Sequence, residues 1–268
     1  MGEDAGMRTQ SNKVSLTNSN LALGTFCFLF LVRLASGFVL AITHGYGYPI
    51  FTDFYTVVNL AFFTFVILLN RWNLSDLNIG KYFIYTFLIS TVLLILYFGF
   101  SLVSIIAVIC LVLTLRVLFG HMLELNDREH NYQAFLYVAL GIAPVILIKL
   151  FTDEPSAYIN SFLNLRANKF FWLITTVLWN VVIEEFLFRG LLWMILRKWM
   201  FDNEKILITQ TLLFWFVHLN LIAGAAFGIS AFLVGLWVGY LTLRSKSLIP
   251  GTITHFVWNI TSILMTAI

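Results

Sequence analysis

The residues best suited to chemistry in this sequence are polar side chains set within apolar runs of the C-terminal half. A double carboxylate, Glu184-Glu185, is followed by Arg189 four residues after its second member. Residues four apart share a helix face, so Glu185 and Arg189 are predicted to form an ion pair. Glu184 points about 100° around the helix from Glu185 and has no cation three or four residues away on its own helix. The pattern thus predicts one structural carboxylate and one that faces a different partner.

Two further apolar runs each carry a histidine. His218 follows Phe214 at a spacing of four, and His255 precedes Asn259 by one helical turn, so both of the latter can direct polar groups to one point. Taken singly, each is also typical of a structural polar residue that joins two helices. Taken together, a carboxylate beside a histidine can remove a proton from water that attacks a carbonyl carbon. A second histidine with an asparagine can stabilise the resulting oxyanion.

The composition predicts the environment of these groups. Hydrophobic residues make up 60% of the 268 residues and charged residues 11%, with a mean hydropathy of +0.91. A water-soluble domain of this length needs more charge on its surface. The sequence therefore predicts an all-α fold, a polytopic transmembrane helix bundle in the cell membrane, with membrane lipid as a partner. The net charge of +3 is spread over several short loops, and no nucleic acid partner is expected.

About 20 apolar residues cross a bilayer as a helix. On that scale, eight or nine spans are predicted, because the run 82–119 is divided only near Gly99 and the run 206–243 only near Gly224. The nine candidate spans are 21–43, 51–70, 82–98, 101–119, 133–151, 169–192, 206–222, 225–243 and 249–267.

The distribution of charge predicts the orientation. With the N-terminus in the cytoplasm, most of the 16 Lys and Arg residues fall on the cytoplasmic side, as the positive-inside rule requires. The longest outer connection is then 152–168. We predict an N-terminal transmembrane region of about four spans at 1–132 and a core at 133–268.

The three motifs resemble those of the CPBP family (CAAX-processing and bacteriocin-processing proteins, also called Abi) of intramembrane glutamic endopeptidases. The family pattern is Glu-Glu-x-x-x-Arg, then Phe-x-x-x-His, then His-x-x-x-Asn, on successive membrane segments. Each motif alone is weak, but all three occur here in that order, over about 165–268. The first four predicted spans carry no motif of the family.

The resemblance implies a role for each matching residue. Glu184 would be the general base, and His218 would orient or activate the water. His255 and Asn259 would form the oxyanion hole. The activity implied is an intramembrane endopeptidase, a glutamic-type hydrolase that uses no covalent nucleophile.

The resemblance also implies supporting residues and a class of partner. Glu185 and Arg189 would support the site, in agreement with their predicted pairing. The partner would be a protein or peptide substrate, either prenylated or carrying a leader as bacteriocin precursors do. No cofactor and no metal are expected, and Cys27 and Cys110 lie in apolar runs without the spacing of a redox or zinc site.

Two alternatives stay open on the sequence. Glu184, His218 and His255 could instead supply the three protein ligands of a catalytic zinc, although no His-Glu-x-x-His helix is present. The same cavity could also serve binding alone, in a non-proteolytic immunity or regulatory protein of the membrane. Arg33 is a further anomaly, a charge within the first predicted span that could pair with a carboxylate or reach a cavity.

Overall fold

The structure is a computed structural model that describes part of the chain, and nearly all of the described residues are helical. The described ranges are 20–35, 58–61, 63–68, 81–98, 102–121, 136–143, 167–199, 201–218 and 224–266. No strand occurs in these ranges, so the all-α prediction is confirmed for them.

The helices are numbered here in chain order. In the N-terminal half they are α1 (20–35), α2 (58–61 and 63–68), α3 (Lys81–Phe98), α4 (Leu102–His121) and α5 (136–143). In the C-terminal half they are α6 (Ala167–Glu185), a π-helical segment (Phe186–Leu191), α7 (Leu192–Lys198), α8 (Asn203–Val217), α9 (Gly224–Ser245) and α10 (Ile249–Thr266).

Most described residues of the predicted spans are helical, although α8 ends at Val217, within the predicted span 206–222. For example, α3 covers the predicted span 82–98 and α10 covers 249–266 of the last one. Among the described helices, none combines the length and the apolarity that crossing a membrane would require. Most of the predicted outer connection 152–168 lies outside the described residues, as does the N-terminus before residue 20.

The helix that carries the double carboxylate lies at the centre of the described structure. Every residue from 181 to 196 is buried, which is typical of a helix surrounded by others on all sides. After Glu185 the helix widens into the π-helical segment, a feature found frequently at functional sites. Aromatic rings join it to the N-terminal half, with Phe63 4.4 Å from Phe186 and 4.0 Å from Phe87 between ring centroids.

The other motif-bearing helices pack around this centre. Helix α9 packs against α8 and α10, and α10 packs in turn against α6. Glycines allow the close approach. A Cβ atom on Gly239 of α9 would lie 2.4 Å from Nε2 of Gln210 on α8, and one on Gly251 of α10 would lie 2.9 Å from Cγ1 of Val238. Larger residues at these two positions would push the helices apart.

A tight connection brings α10 back beside α9. Lys246 adopts a left-handed backbone with φ of 53°, and its amide donates to the carbonyl of Thr242 at 2.9 Å, which ends α9. The Ser247 hydroxyl accepts from the amide of Ile249 at 3.2 Å at the start of α10. Pro250 lies in the first turn of α10, where the missing amide hydrogen of proline is tolerated.

Candidate active site

The carboxylate of Glu184 lies at the point where the three motifs meet. Its Oε2 atom is 3.6 Å from Nε2 of His218 and 3.7 Å from Nε2 of His255. Its Oε1 atom accepts from a guanidinium nitrogen of Arg33, on α1. Glu184 is 3% exposed. Three residues predicted for the site from sequence are therefore adjacent, and Glu184 obtains its cation from another helix.

The carboxylate of Glu185 faces a different set of groups. Its Oε1 atom accepts from Arg189 at 3.1 Å, which confirms the predicted i,i+4 ion pair, and both side chains are fully buried. The same atom lies 2.8 Å from Nδ1 of His255. Because a carboxylate oxygen accepts, Nδ1 of His255 carries the proton and the opposite nitrogen faces Glu184. Glu185 therefore orients a residue of the third motif as well as pairing with Arg189.

Arg189 is held from several sides within the core. It donates to the carbonyl of Gly235 on α9 at 3.0 Å, and Gln210 donates to the same carbonyl at 3.0 Å. Its guanidinium carbon lies 4.5 Å from the ring centroid of Phe214, a cation–π contact. A buried cation needs such partners. Arg189 thus joins the helix of the double carboxylate to α8 and α9.

His218 lies immediately after the last residue of α8. Its Nδ1 atom is 2.7 Å from the carbonyl oxygen of Phe214, one turn earlier. A carbonyl oxygen only accepts, so Nδ1 carries a proton and Nε2 is the ring nitrogen that faces Glu184. The 3.6 Å separation of Nε2 from Oε2 is longer than a direct hydrogen bond.

Phe214 has a role that the sequence motif alone does not reveal. Its ring centroid lies 4.3 Å from that of His218 and 5.5 Å from that of His255, the latter in an edge-on arrangement. Phe214 is buried and also contacts Arg189. It therefore packs between the two imidazoles and the supporting arginine and fixes their relative positions.

Asn259 lies one turn after His255 on α10 and is partly exposed. Asn259 and His255 are predicted from the sequence to form an oxyanion hole together. In the structure, the His255 ring also contacts both carboxylates, through Nδ1 to Glu185 and through Nε2 towards Glu184. His255 is consequently part of the carboxylate cluster and has the same helix face as Asn259.

Two residues of the site have no assigned place in the sequence motifs. Arg33 contacts Glu184, and the only signal for it in the sequence is a charge in an apolar run. Gly251 approaches so closely that a Cβ atom would lie 3.3 Å from Oε2 of Glu185. This close approach of Gly251 to Glu185 depends on the packing of α10 against α6.

Metal ligation needs side chains in a specific arrangement. Within the described ranges, no group of three or more histidine, cysteine, aspartate or glutamate residues is arranged to hold a metal ion.

Comparison with known proteins finds a family that matches the part of the chain containing this cluster. Residues 166–261 match the family described as type II CAAX prenyl endopeptidase Rce1-like, and the predicted resemblance to the CPBP and CAAX protease family is confirmed for this part of the chain. The match contains all three motifs and supports a proteolytic enzyme, a hydrolase acting on a protein or peptide. No curated protein and no solved structure matches the chain significantly.

Proposed function

We propose that the protein is an intramembrane glutamic endopeptidase that hydrolyses a peptide bond of a membrane-associated or lipidated precursor. The observation that carries the proposal is the position of Oε2 of Glu184, which faces the Nε2 atoms of two histidines at 3.6 and 3.7 Å. A carboxylate between two imidazoles can hold a water, accept its proton and return that proton to a leaving group.

The proposed reaction starts with a water held by Glu184 and His218. Glu184 accepts a proton from the water while the water oxygen attacks the carbonyl carbon of the scissile bond. The bond between that carbon and its amide nitrogen then breaks, and the proton on Glu184 passes to the departing amine. No covalent enzyme intermediate forms. The alignment of Nδ1–H of His218 with the carbonyl of Phe214 supports this role, because it directs Nε2 to the water.

The developing oxyanion needs donors. His255 and Asn259 are proposed as those donors, since both lie on one face of α10 and His255 is the buried member. When His255 is protonated, the carboxylate of Glu185 at 2.8 Å stabilises its positive charge, and Nε2–H is available to the oxyanion. Glu185 and Arg189 therefore support the site without touching the substrate.

The membrane setting is proposed from composition and from the exposed side chains. Large apolar residues point outward from helices along the chain, including Leu31 at 61% exposure, Leu96 at 67% and Ile229 at 63%. Such surfaces suit lipid contact and are unfavourable in water. The proposed architecture is a polytopic bundle of eight or nine spans in the cell membrane with a cytoplasmic N-terminus, and an N-terminal region at 1–132 preceding a protease core at 133–268.

The substrate proposed is a prenylated protein or peptide. The description of the matching family, type II CAAX prenyl endopeptidase, supports this choice. A leader-bearing precursor of the bacteriocin type is the second class that the motifs allow. A site among apolar helices suits either a lipidated segment or a hydrophobic leader.

The experiment uses the purified full-length protein in lipid vesicles. Two synthetic peptides of one sequence ending in a CAAX motif, one prenylated and one not, are incubated with it, and the products are identified by mass spectrometry. Cleavage of the prenylated peptide together with little cleavage of the unprenylated peptide supports the proposal. A leader-bearing peptide is tested in parallel. Cleavage of that peptide alone would replace the proposed substrate class with a leader-bearing precursor. Cleavage of none of the three peptides would contradict the proposed function and favour a binding protein.

The same preparation tests the zinc alternative. We expect cleavage to continue at the same rate after treatment with a metal chelator. Stoichiometric zinc in the active protein, lost together with activity and regained with added zinc, would replace the metal-independent mechanism with a metal-dependent one.

A further inference from the structure

The N-terminal helix α1 contributes one side chain to the candidate site. Arg33 lies on α1, far outside the matching stretch 166–261, and its guanidinium donates to Oε1 of Glu184. We propose that Arg33 is a positioning residue, supplied by the N-terminal region, that fixes the Glu184 carboxylate for water activation. This inference rests on the proposed function, because it assigns Arg33 a part in the work of Glu184.

The charges of the cluster require a partner for Glu184. Two buried carboxylates are adjacent in the chain, and Glu185 already pairs with Arg189 at 3.1 Å. A buried carboxylate without a cation or several donors is strongly destabilising. The guanidinium of Arg33 supplies the charge that Glu184 needs, so each glutamate of the pair has its own arginine. The two arginines come from opposite halves of the chain.

The contact also determines which carboxylate oxygen faces the histidines. Arg33 engages Oε1, and Oε2 accepts no hydrogen bond from any described residue while it faces His218 and His255. A carboxylate held at one oxygen can no longer rotate freely about its terminal torsion. Arg33 therefore keeps Oε2 directed at the place where a water would be activated.

Helix α1 is packed firmly enough to deliver this side chain. The ring of Phe30 stacks on that of Phe216 with centroids 6.5 Å apart, and Phe26 meets Phe188 edge-on at 6.2 Å. Positions 26, 30 and 33 follow helical spacing, so Arg33 shares the packed face of α1. Leu31, on the opposite face, is 61% exposed. The guanidinium is thus presented by a face whose aromatic residues already contact the π-helical segment and α8.

The position of Arg33 separates positioning from substrate binding. Its side chain is 25% exposed, whereas that of Glu184 is 4% exposed, so Arg33 lies between the carboxylate and the outside of the cluster. A residue that orients the base changes the rate of the chemical step and leaves the affinity for substrate nearly unchanged. This difference provides the test.

The experiment compares Arg33→Gln and Arg33→Lys with the unmodified full-length protein, by steady-state cleavage of the prenylated CAAX peptide in vesicles. We expect kcat of Arg33→Gln to fall about 100-fold with KM within about threefold. Arg33→Lys keeps the charge but loses the planar fork, so kcat should fall about 10-fold. Arg244→Gln is the matched control, because Arg244 is exposed on α9 and contacts Tyr240. Its kcat should equal that of the unmodified protein.

Two further readouts keep the outcome clear. Millimolar guanidinium ion should restore part of kcat in Arg33→Ala and none in Glu184→Gln. If Arg33→Gln does not fold, the kcat of Arg33→Lys and the rescue of Arg33→Ala by guanidinium ion test the positioning role instead. The positioning role alone is overturned if the unmodified protein is active and both Arg33→Gln and Arg33→Lys keep its kcat. A change in these variants that is confined to KM would overturn it as well. An inactive unmodified protein overturns the proposed function itself.

Discussion

Nδ1 of His255 lies 2.8 Å from Oε1 of Glu185, and that same oxygen accepts from Arg189 at 3.1 Å. One carboxylate oxygen thereby links α10 to the helix that carries the double glutamate. The contact fixes which nitrogen of His255 is protonated and turns the other towards Glu184, 3.7 Å away. The two glutamates of the pair therefore face opposite nitrogens of the same histidine ring.

The first prediction concerns the coupling of Glu185 and Arg189, both fully buried. Removing one partner leaves an uncompensated charge, so Glu185→Gln and Arg189→Met should each lower the free energy of unfolding by about 3–5 kcal/mol. The double variant should cost clearly less than the sum, because no unpaired charge then remains. Thermal and denaturant unfolding in detergent measures all three. Additive losses would show that the two side chains are not coupled.

The second prediction separates the two nitrogens of His218. The amide of asparagine can replace Nδ1–H and keep the bond to the Phe214 carbonyl, so His218→Asn should unfold as the unmodified protein does. It lacks Nε2, and its cleavage rate should fall about 10²- to 10⁴-fold. His218→Gln reaches towards Glu184 but loses the bond to Phe214, at about 1 kcal/mol. A His218→Asn variant with the full rate would contradict the role of Nε2.

The third prediction tests the close packing of α8 against α9. A Cβ atom at Gly239 would lie 2.4 Å from Nε2 of Gln210 and 2.6 Å from Cδ1 of Leu207. Gly239→Ala should therefore lower the free energy of unfolding by about 1–3 kcal/mol. Gly24→Ala on α1 is the control, because nothing lies within 4 Å of its Cβ position and alanine favours a helix. Equal stability of the two variants would contradict the close approach of α8 and α9 at Gly239.

The fourth prediction concerns the start of α8 and its dependence on pH. The Asp202 carboxylate accepts from Nζ of Lys205 at 2.7 Å and from the Lys205 amide at 2.8 Å, and these bonds lower the pKa of Asp202 below its usual value. A lowered pKa means that ionised Asp202 stabilises the fold above the ordinary aspartate pKa of about 3.9, and that this stabilisation is lost as the pH falls through the folded value.

The matched variants for this capping site are Asp202→Asn and Asp202→Ala. Asparagine keeps a capping oxygen without the charge, so Asp202→Asn should be less stable than the unmodified protein at pH 7 and equal to it at strongly acid pH. Asp202→Ala should be less stable at both. The unfolding temperatures of the three proteins are measured across the pH range. If the difference between Asp202→Asn and the unmodified protein does not become smaller in acid, the charge of Asp202 does not contribute to stability.

The sequence predicts much of the site because its motifs follow helical spacing. The Glu185–Arg189 pair depends on neighbours within one helix, and its prediction is confirmed. The adjacency of Glu184, His218 and His255 was expected from three apolar runs and is observed. Helical periodicity is sufficient to predict such features, because the spacing of residues along one helix determines which side chains share a face.

Contacts between distant helices could not be predicted in the same way. The partner of Glu184 is Arg33, 151 positions earlier, and no spacing rule joins α1 to α6. The bond from Glu185 to His255 likewise depends on how α10 packs, which the close approach at Gly251 permits. The sequence marks Arg33 only as a costly charge that needs some partner. The identity of that partner follows from packing.

The most direct test of water activation by Glu184 compares the cleavage rates of Glu184→Gln and Glu204→Gln, in the full-length protein with the prenylated peptide. Glu204 is an exposed glutamate in the first turn of α8, so it controls for the loss of one carboxylate. We expect a rate about 10²- to 10⁴-fold lower for Glu184→Gln, an unchanged rate for Glu204→Gln and a folded protein in both cases. A folded Glu184→Gln protein that cleaves as fast as the unmodified one would contradict water activation by Glu184.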